Sequence, residues 1–160
     1  MSDVLCMYYS RTGNTRATIT EMAEALGAEV VELRDDVERR GFFGWLRSGM
    51  DAMSRTAPPV LPFETQKPLS QYRLVILGTP VWAGRCSSVM KSFLKKYGRK
   101  LPATAYVILR GSEDKNEEVY DQMDIYVPDG HCAAVSLRRG SVGYVFWQEE
   151  FLRQVREYLK

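Results

Sequence analysis

A short polar segment between an apolar run and a helical pattern is the first place in this sequence where chemistry is expected. Its residues are Ser10, Arg11, Thr12, Gly13, Asn14 and Thr15. Free N–H groups at a helix start favour an anion, and a glycine lets a phosphate approach the backbone closely. The segment matches neither the GxxxxGKS/T nor the GxGxxG pattern. It predicts a phosphate cradle, with an ordinary capped helix start as the alternative.

A second segment places a tryptophan between a proline and a glycine, directly after another apolar run. Its residues are Gly78, Thr79, Pro80, Val81, Trp82, Ala83 and Gly84. An accessible indole in such a loop can stack on a flat aromatic ligand. Gly84 permits a turn with positive φ. The alternative is a tryptophan that only covers the end of a sheet.

The elements that must position these segments alternate between strands and helices. Apolar runs predict strands at 4–8, 28–33, 74–77, 105–109 and 132–137. Helical spacing predicts helices that end at Gly27, span 89–97 and 117–123, and close the chain at 151–159. This order predicts an α/β protein with a mainly parallel sheet and helices on both faces. Ligands bind beyond the carboxyl ends of such strands, so residues 10–15, 78–84 and 110–114 are expected to meet there.

Composition limits the class of protein. A chain of 160 residues with 45% hydrophobic and 26% charged residues predicts one globular domain over 1–160. The net charge of +2 gives no basis for nucleic-acid binding. No apolar run reaches the roughly 20 residues that a membrane span needs. The first residues lead into a strand without the basic region of a signal peptide, so we expect a cytoplasmic protein.

The three cysteines form no CxxC pair, which predicts neither a zinc site nor a disulfide framework, and we expect no metal. Cys6 and Cys132 lie in apolar runs and are predicted to be core residues. Cys86 precedes a helix start, where a thiolate can be favoured, but no partner base accompanies it. The stretch from His131 to Arg138 matches the spacing of a cysteine phosphatase loop. Its five intervening residues contain no glycine and predict a strand, so no catalytic residue is assigned.

One segment is additional to this plan. Residues 41–55 show helical spacing of large apolar side chains. These and their neighbours are Phe42, Phe43, Trp45, Leu46, Arg47, Met50, Met53 and Arg55. The segment is either a helix that packs on the flank of the sheet or a cover beside a ligand site.

Taken together, residues 9–15 and 78–84, continuing through Met90 and Phe93, resemble the flavodoxin family. The resemblance covers essentially the whole chain, and the helix at 41–55 is similar to one in some flavodoxin-like proteins. It implies a doubly wound five-stranded parallel sheet of order 2-1-3-4-5 and FMN as the cofactor.

The resemblance also implies roles for residues. Ser10, Thr12, Asn14 and Thr15 would hold the FMN phosphate, and Trp82 would stack on the isoalloxazine ring. The cofactor-binding set that it implies is Ser10, Arg11, Thr12, Gly13, Asn14, Thr15, Thr79, Pro80, Val81, Trp82, Ala83, Gly84, Arg110, Gly111 and Ser112. The segment 110–114 departs from the family pattern because it has no aromatic residue. We therefore expect one open flavin face, with Arg110 near the ring favouring an anionic reduced flavin.

Bound FMN would imply electron transfer to a redox partner protein or a small acceptor. Flavodoxin carriers resemble one another in being strongly acidic, whereas this chain is close to neutral. The alternative is therefore an FMN-dependent NAD(P)H:quinone or similar oxidoreductase. The carrier is preferred because no nicotinamide-binding fingerprint is visible. A second alternative is a non-redox domain that binds another phosphate ligand.

Overall fold

A parallel sheet forms the centre of the computed structural model, which describes residues 2–54 and 58–160. Its strands are β1 (Val4–Tyr8), β2 (Glu29–Glu32), β3 (Leu74–Trp82), β4 (Arg85–Cys86), β5 (Thr104–Leu109) and β6 (His131–Leu137). Five of them run parallel in the order β2-β1-β3-β5-β6, and β4 pairs antiparallel with the end of β3. The predicted five-stranded order is confirmed, and the two-residue β4 is added to it.

Five helices cover the two faces of this sheet. They are α1 (Asn14–Leu26), α2 (Gly41–Met53), α3 (Ser88–Tyr97), α4 (Glu118–Asp124) and α5 (Tyr144–Tyr158). Side chains alternate across each strand, so successive residues of β1 enter different cores. Val4 and Cys6 pack with α1 and α5, whereas Leu5 and Met7 pack with α3 and α4. The doubly wound α/β fold predicted from the sequence is therefore present.

The end of β3 was predicted wrongly from the sequence. The prediction ended this strand at Gly78, but the strand continues to Trp82. Gly78 and Pro80 pair with Val107 and Leu109 of β5. On the other side β1 ends opposite Gly78, so the missing N–H of Pro80 breaks no ladder there. A proline typical of a loop therefore lies in a strand.

Two further boundaries differ from the sequence-based expectations. The last helix begins at Tyr144, seven residues before the predicted start at 151. The additional helix α2 ends at Met53, and Arg55 of the predicted segment lies outside the described residues. Among the residues that are described, no helix combines the length and apolar character needed to cross a membrane.

The burial of each cysteine depends on its position in the sheet and not on the sequence pattern alone. Cys6 lies in β1, between β2 and β3, and is fully buried, as predicted. Cys132 is exposed, so its predicted core position is wrong. It lies in β6 at the edge of the sheet, at a register shift where it has no partner residue in β5. Within residues 2–54 and 58–160, no group of histidine, cysteine and carboxylate side chains is arranged to hold a metal ion.

Candidate functional site

A cleft of about 200 Å³ lies at the carboxyl ends of β1, β3 and β5. Each of the three predicted segments contributes to its wall. The lining residues are Ser10, Arg11, Thr12, Asn14, Thr15, Trp45, Pro80, Val81, Trp82, Leu109, Arg110, Gly111 and Arg139. The cleft therefore lies where the topology of an open parallel sheet places ligand sites.

The loop before α1 is shaped by one glycine and one serine. Gly13 has φ of 104°, a left-handed conformation that other residues adopt only with strain. Its N–H donates to the Ser10 Oγ at 3.0 Å, which closes the loop. In this part of the described chain, no side chain caps α1, and its first turn carries no acidic residue. The first N–H groups of α1 are therefore open to an anion at the cleft.

The charge of the cleft also favours an anion. Three arginines line it, namely Arg11, Arg110 and Arg139, and none of its lining residues is acidic. Arg11 donates to the carbonyl of Arg39 at 3.0 Å. Arg139 donates to Thr18 and Glu21 of α1, each at 3.1 Å. These bonds hold the arginines at the edge of the cleft.

Trp82 is far less accessible than the sequence suggested. Only 8% of the residue is exposed. The guanidinium of Arg39 lies 5.0 Å from the centroid of the indole ring. The ring of Tyr9 meets it edge-on, with centroids 5.4 Å apart. Trp82 still lines the cleft, but most of its surface is already in contact with this chain.

Trp45 is the accessible indole of the cleft. It belongs to α2, is 58% exposed, and lines the cleft. The sequence did not assign Trp45 to the cofactor set, although a cover beside a ligand site was one interpretation of 41–55. The inner face of α2 packs against the protein through Gly44, Ser48 and Ala52. The interpretation of this segment as a helix that packs on the protein is therefore confirmed, and the interpretation as a cover beside a ligand site stays a prediction.

The third segment, residues 110–112, places the cationic side chain of Arg110 and the glycine Gly111 at the cleft. The Nε of Arg110 donates to Ser136 Oγ at 2.9 Å, and its Nη1 donates to the carbonyl of Ser112 at 2.6 Å. Gly111 lines the cleft beside it, whereas Ser112 is exposed outside the lining. The Arg110 side chain is thus held in place by β6 and by its own loop.

Four other residues of the predicted set lie outside the cleft lining. Thr79 is fully buried, and its Oγ1 accepts from the N–H of Ser87 at 2.9 Å. Ala83 and Gly84 have φ of 51° and 74° and form the turn between β3 and β4. Gly13 shapes the cradle through its backbone. A left-handed alanine is uncommon, and such residues cluster at functional sites.

The phosphatase alternative has no support in the structure. Residues His131 to Leu137 form the extended strand β6 rather than a loop of open N–H groups. His131 contacts Asp124, with the Nδ1 atom 2.9 Å from a carboxylate oxygen. His131 is the first residue of this strand.

Comparison with solved structures identifies the fold. A flavoprotein from Lactobacillus acidophilus, crystallised in complex with FMN, aligns with a TM-score of 0.65 at 15% identity, over 92% of this chain and 99% of that one. A candidate flavoprotein from Bacteroides uniformis aligns with a TM-score of 0.75 at 16% identity, over 97% and 98% of the chains. A flavodoxin described as WrbA-like, from Agrobacterium tumefaciens, aligns at 0.56 and 16%, over 99% of each chain.

No protein-family model matches the sequence, and a search of curated proteins finds no significant match. The similarity to known proteins therefore lies in the arrangement of the backbone rather than in sequence identity. The chain has the flavodoxin-like fold, and several proteins that share this fold are flavoproteins.

Proposed function

We propose that this protein binds FMN in the cleft and works in electron transfer. The phosphate would lie on residues 10–15 at the start of α1. The ring would lie between Pro80 to Trp82 on one side and Arg110 to Gly111 on the other. When bound, FMN supplies the redox chemistry, and the chain supplies position and electrostatics.

The observation that carries this proposal is the open start of α1. Its first N–H groups have no side-chain cap, and Thr12, Asn14 and Thr15 line the same cleft. Three arginines line the cleft, and none of its described lining residues is acidic. A dianionic phosphate group matches this set of donors. Pro80, Val81 and Leu109 add an apolar wall next to it, which suits a flat ring joined to a phosphate.

Arg110 would tune the reduction potential of the bound flavin. Its guanidinium lies at the cleft and is held by Ser136 and by the Ser112 carbonyl. A cation near the ring favours the anionic reduced form over the neutral oxidised form. Arg110→Ala should therefore lower the two-electron potential, measured by equilibrium with redox dyes. An unchanged potential in a variant that still binds FMN would remove this role.

A small-acceptor oxidoreductase is the second candidate, and one structural observation favours it. An apolar groove lies directly beside the cleft and shares Trp45 with it. A carrier that docks to a protein needs no such groove, whereas an enzyme needs a place for its acceptor. The near-neutral charge of the chain also differs from that of the strongly acidic carriers.

The test of the proposed function begins with an FMN titration. Purified protein is mixed with FMN, and excess cofactor is removed by gel filtration before a visible spectrum is recorded. We expect flavin bands that elute with the protein at close to one equivalent. Riboflavin, which lacks the phosphate, should bind more weakly. A colourless protein without measurable FMN affinity would contradict the proposal.

A second measurement separates the two candidate functions. Oxidation of NADH and NADPH is followed in the presence of the FMN-loaded protein and a small acceptor. Turnover that depends on bound FMN indicates the oxidoreductase. FMN binding without nicotinamide oxidation, together with reduction by a flavodoxin reductase, indicates the carrier.

A further inference from the structure

Arg139 reaches the cleft from a part of the chain that lies outside the three predicted segments. It belongs to the loop between β6 and α5, and it lines the cleft together with Asn14 and Thr15 of α1. Neither the proposed phosphate cradle nor the proposed walls for the ring include it. Its side chain therefore has a position at the cleft but no assigned role.

Three side chains hold the guanidinium of Arg139 in place. Its Nη1 atom donates to Thr18 Oγ1 and to Glu21 Oε1, each at 3.1 Å, and to the hydroxyl oxygen of Tyr144 at 2.8 Å. The guanidinium carbon also lies 5.2 Å from the centroid of the Tyr144 ring, within the range of a cation–π contact. An arginine that is ordered in this way loses less freedom when a ligand binds than a mobile one does.

The partners of Arg139 are also bonded to one another. The Tyr144 hydroxyl lies 2.7 Å from Thr18 Oγ1 and donates to Glu21 Oε2 at 2.9 Å, and Gln148 donates to the same oxygen at 3.0 Å. Burial raises the pKa of Glu21, but hydrogen bonds from Gln148, Tyr144 and Arg139 lower it further, so its pKa lies below the ordinary value. The carboxylate is therefore ionised at neutral pH and keeps its bond to Arg139.

The network places Arg139 at the phosphate end of the cleft. Thr18 and Glu21 follow Asn14 by four and seven residues in α1, so the three lie on one face of the helix. A cation that is bonded to this face lies beside the first turn of α1, where the phosphate is proposed. Arg110 is instead held by Ser136 of β6 and by its own loop, at the proposed place of the ring.

We propose that Arg139 is a specificity-determining residue, which selects a phosphorylated flavin over an unphosphorylated one. Thr18, Glu21 and Tyr144 are positioning residues that hold its guanidinium at the cleft. This inference rests on the proposed function, because it assigns a side chain to the phosphate of the cofactor proposed there. The open start of α1 supplies N–H dipoles, and Arg139 adds a full positive charge and further N–H donors beside them.

The test compares the affinities of the protein for FMN and riboflavin, measured by flavin fluorescence titration. The two flavins differ only in the phosphate, so the ratio of their affinities separates a phosphate contact from ring contacts and from folding. Arg139→Gln should lower FMN affinity by about tenfold or more and leave riboflavin affinity within about twofold. Arg139→Lys should recover part of the FMN affinity, because it keeps the charge. An equal loss for both flavins would make Arg139 a structural link between α5 and α1 and overturn the selection.

Arg138→Gln provides the matched control. Arg138 precedes Arg139 in the chain, and the substitution removes the same charge, but Arg138 lies outside the cleft lining. Its FMN affinity should stay within about twofold of that of the unaltered protein. An equal loss of FMN affinity in the two variants would indicate a general effect of net charge and overturn a specific role for Arg139.

Tyr144→Phe tests the positioning of the guanidinium. It keeps the ring beneath Arg139 and removes the hydroxyl that accepts from Nη1 and donates to Glu21. FMN affinity should fall by about threefold, with riboflavin affinity unchanged. An FMN affinity equal to that of the unaltered protein would overturn the positioning role of Tyr144.

Inorganic phosphate separates failure of this inference from failure of the proposed function. FMN binding with an unchanged ratio of FMN to riboflavin affinity in Arg139→Gln would overturn the inference and leave the proposed function intact. Absence of FMN binding to the unaltered protein would remove the proposed function. Calorimetric titration of the apoprotein with inorganic phosphate would then decide the role of Arg139 as an anion-binding residue. Phosphate binding that Arg139→Gln weakens by about tenfold would support this role, and absent or unchanged phosphate binding would overturn it.

Discussion

The helices α1 and α3 begin at the same edge of the sheet but in opposite ways. At α3 the Ser87 Oγ accepts from the Met90 N–H at 3.1 Å, which caps the helix. At α1 the N-cap is the left-handed Gly13, and no side chain caps the helix in the described structure. Both helices follow segments with hydroxyl side chains. Hydroxyl residues before a helix therefore do not by themselves distinguish a cap from a ligand site.

Burial explains the difference between these two starts. Thr79 and Ser87 are fully buried and bond to each other and to nearby backbone, so the start of α3 is closed. The Ser10 Oγ instead binds the N–H of Gly13 within its own loop, which leaves the first turn of α1 open. An open helix start at a cleft can bind an anion, whereas a closed one contributes only to stability.

The largest expected effect concerns Cys86, which directly precedes the closed start of α3. Burial raises its pKa to about 12, so the thiol is protonated at pH 8 and becomes a thiolate only at far higher pH. Its thiolate fraction at pH 8 should be lower by roughly a thousandfold than that of an exposed cysteine. With Ellman's reagent we expect one fast thiol, the exposed Cys132. Cys6 and Cys86 should react only on unfolding, and a fast thiol that persists in Cys132→Ser would contradict this.

The next largest effect concerns the open start of α1. Thr12→Asp places a carboxylate at the cradle, where it repels a phosphate and satisfies the open N–H groups itself. We expect FMN affinity to fall by about a hundredfold, because a charge-assisted phosphate contact is replaced by repulsion. Flavin fluorescence titrations measure the effect. Thr12→Val, which keeps the shape of the side chain, is the isosteric control. The riboflavin affinity of Thr12→Asp should barely change. An equal loss for riboflavin would place the phosphate elsewhere.

The smallest effect separates capping from ligand binding at the closed helix start. Ser87→Ala removes the cap of α3 and one partner of Thr79, which should lower the free energy of unfolding by about 1–2 kcal/mol. FMN affinity should not change. Urea denaturation and an FMN titration of the same samples give both values. Ser10→Ala, the corresponding change at α1, should affect FMN binding more than stability, and the reverse result would break the comparison.

The sequence was informative where a local pattern decides the structure. Apolar runs predicted β1, β5 and β6 correctly. Helical spacing predicted α3 correctly from Val89, Met90 and Phe93. The topology then followed from the alternation of strands and helices, and it placed 10–15 next to 110–111. Such features depend on neighbours along the chain, so a single sequence contains them.

The features that the sequence did not predict depend on contacts between distant segments. β3 continues past Gly78 because β5 pairs with it, and no local pattern shows this. The low exposure of Trp82 results from Arg39 and Tyr9, which come from other parts of the chain. Arg139 reaches the cleft through bonds to Thr18 and Glu21, more than a hundred residues away. Trp45 was recognised as part of an apolar helix, but its place at the cleft follows from how α2 docks.

The buried Arg39 also determines how α2 opens. Its guanidinium joins Asp35, Asp51 and Ser88, and the side chains of Arg39 and Asp35 are almost fully buried. A buried ion pair cannot be opened one bond at a time without leaving a charge unpaired in the interior. The helix should therefore leave the sheet as one cooperative unit, and its amide hydrogens should exchange through a single opening event below the global free energy of unfolding.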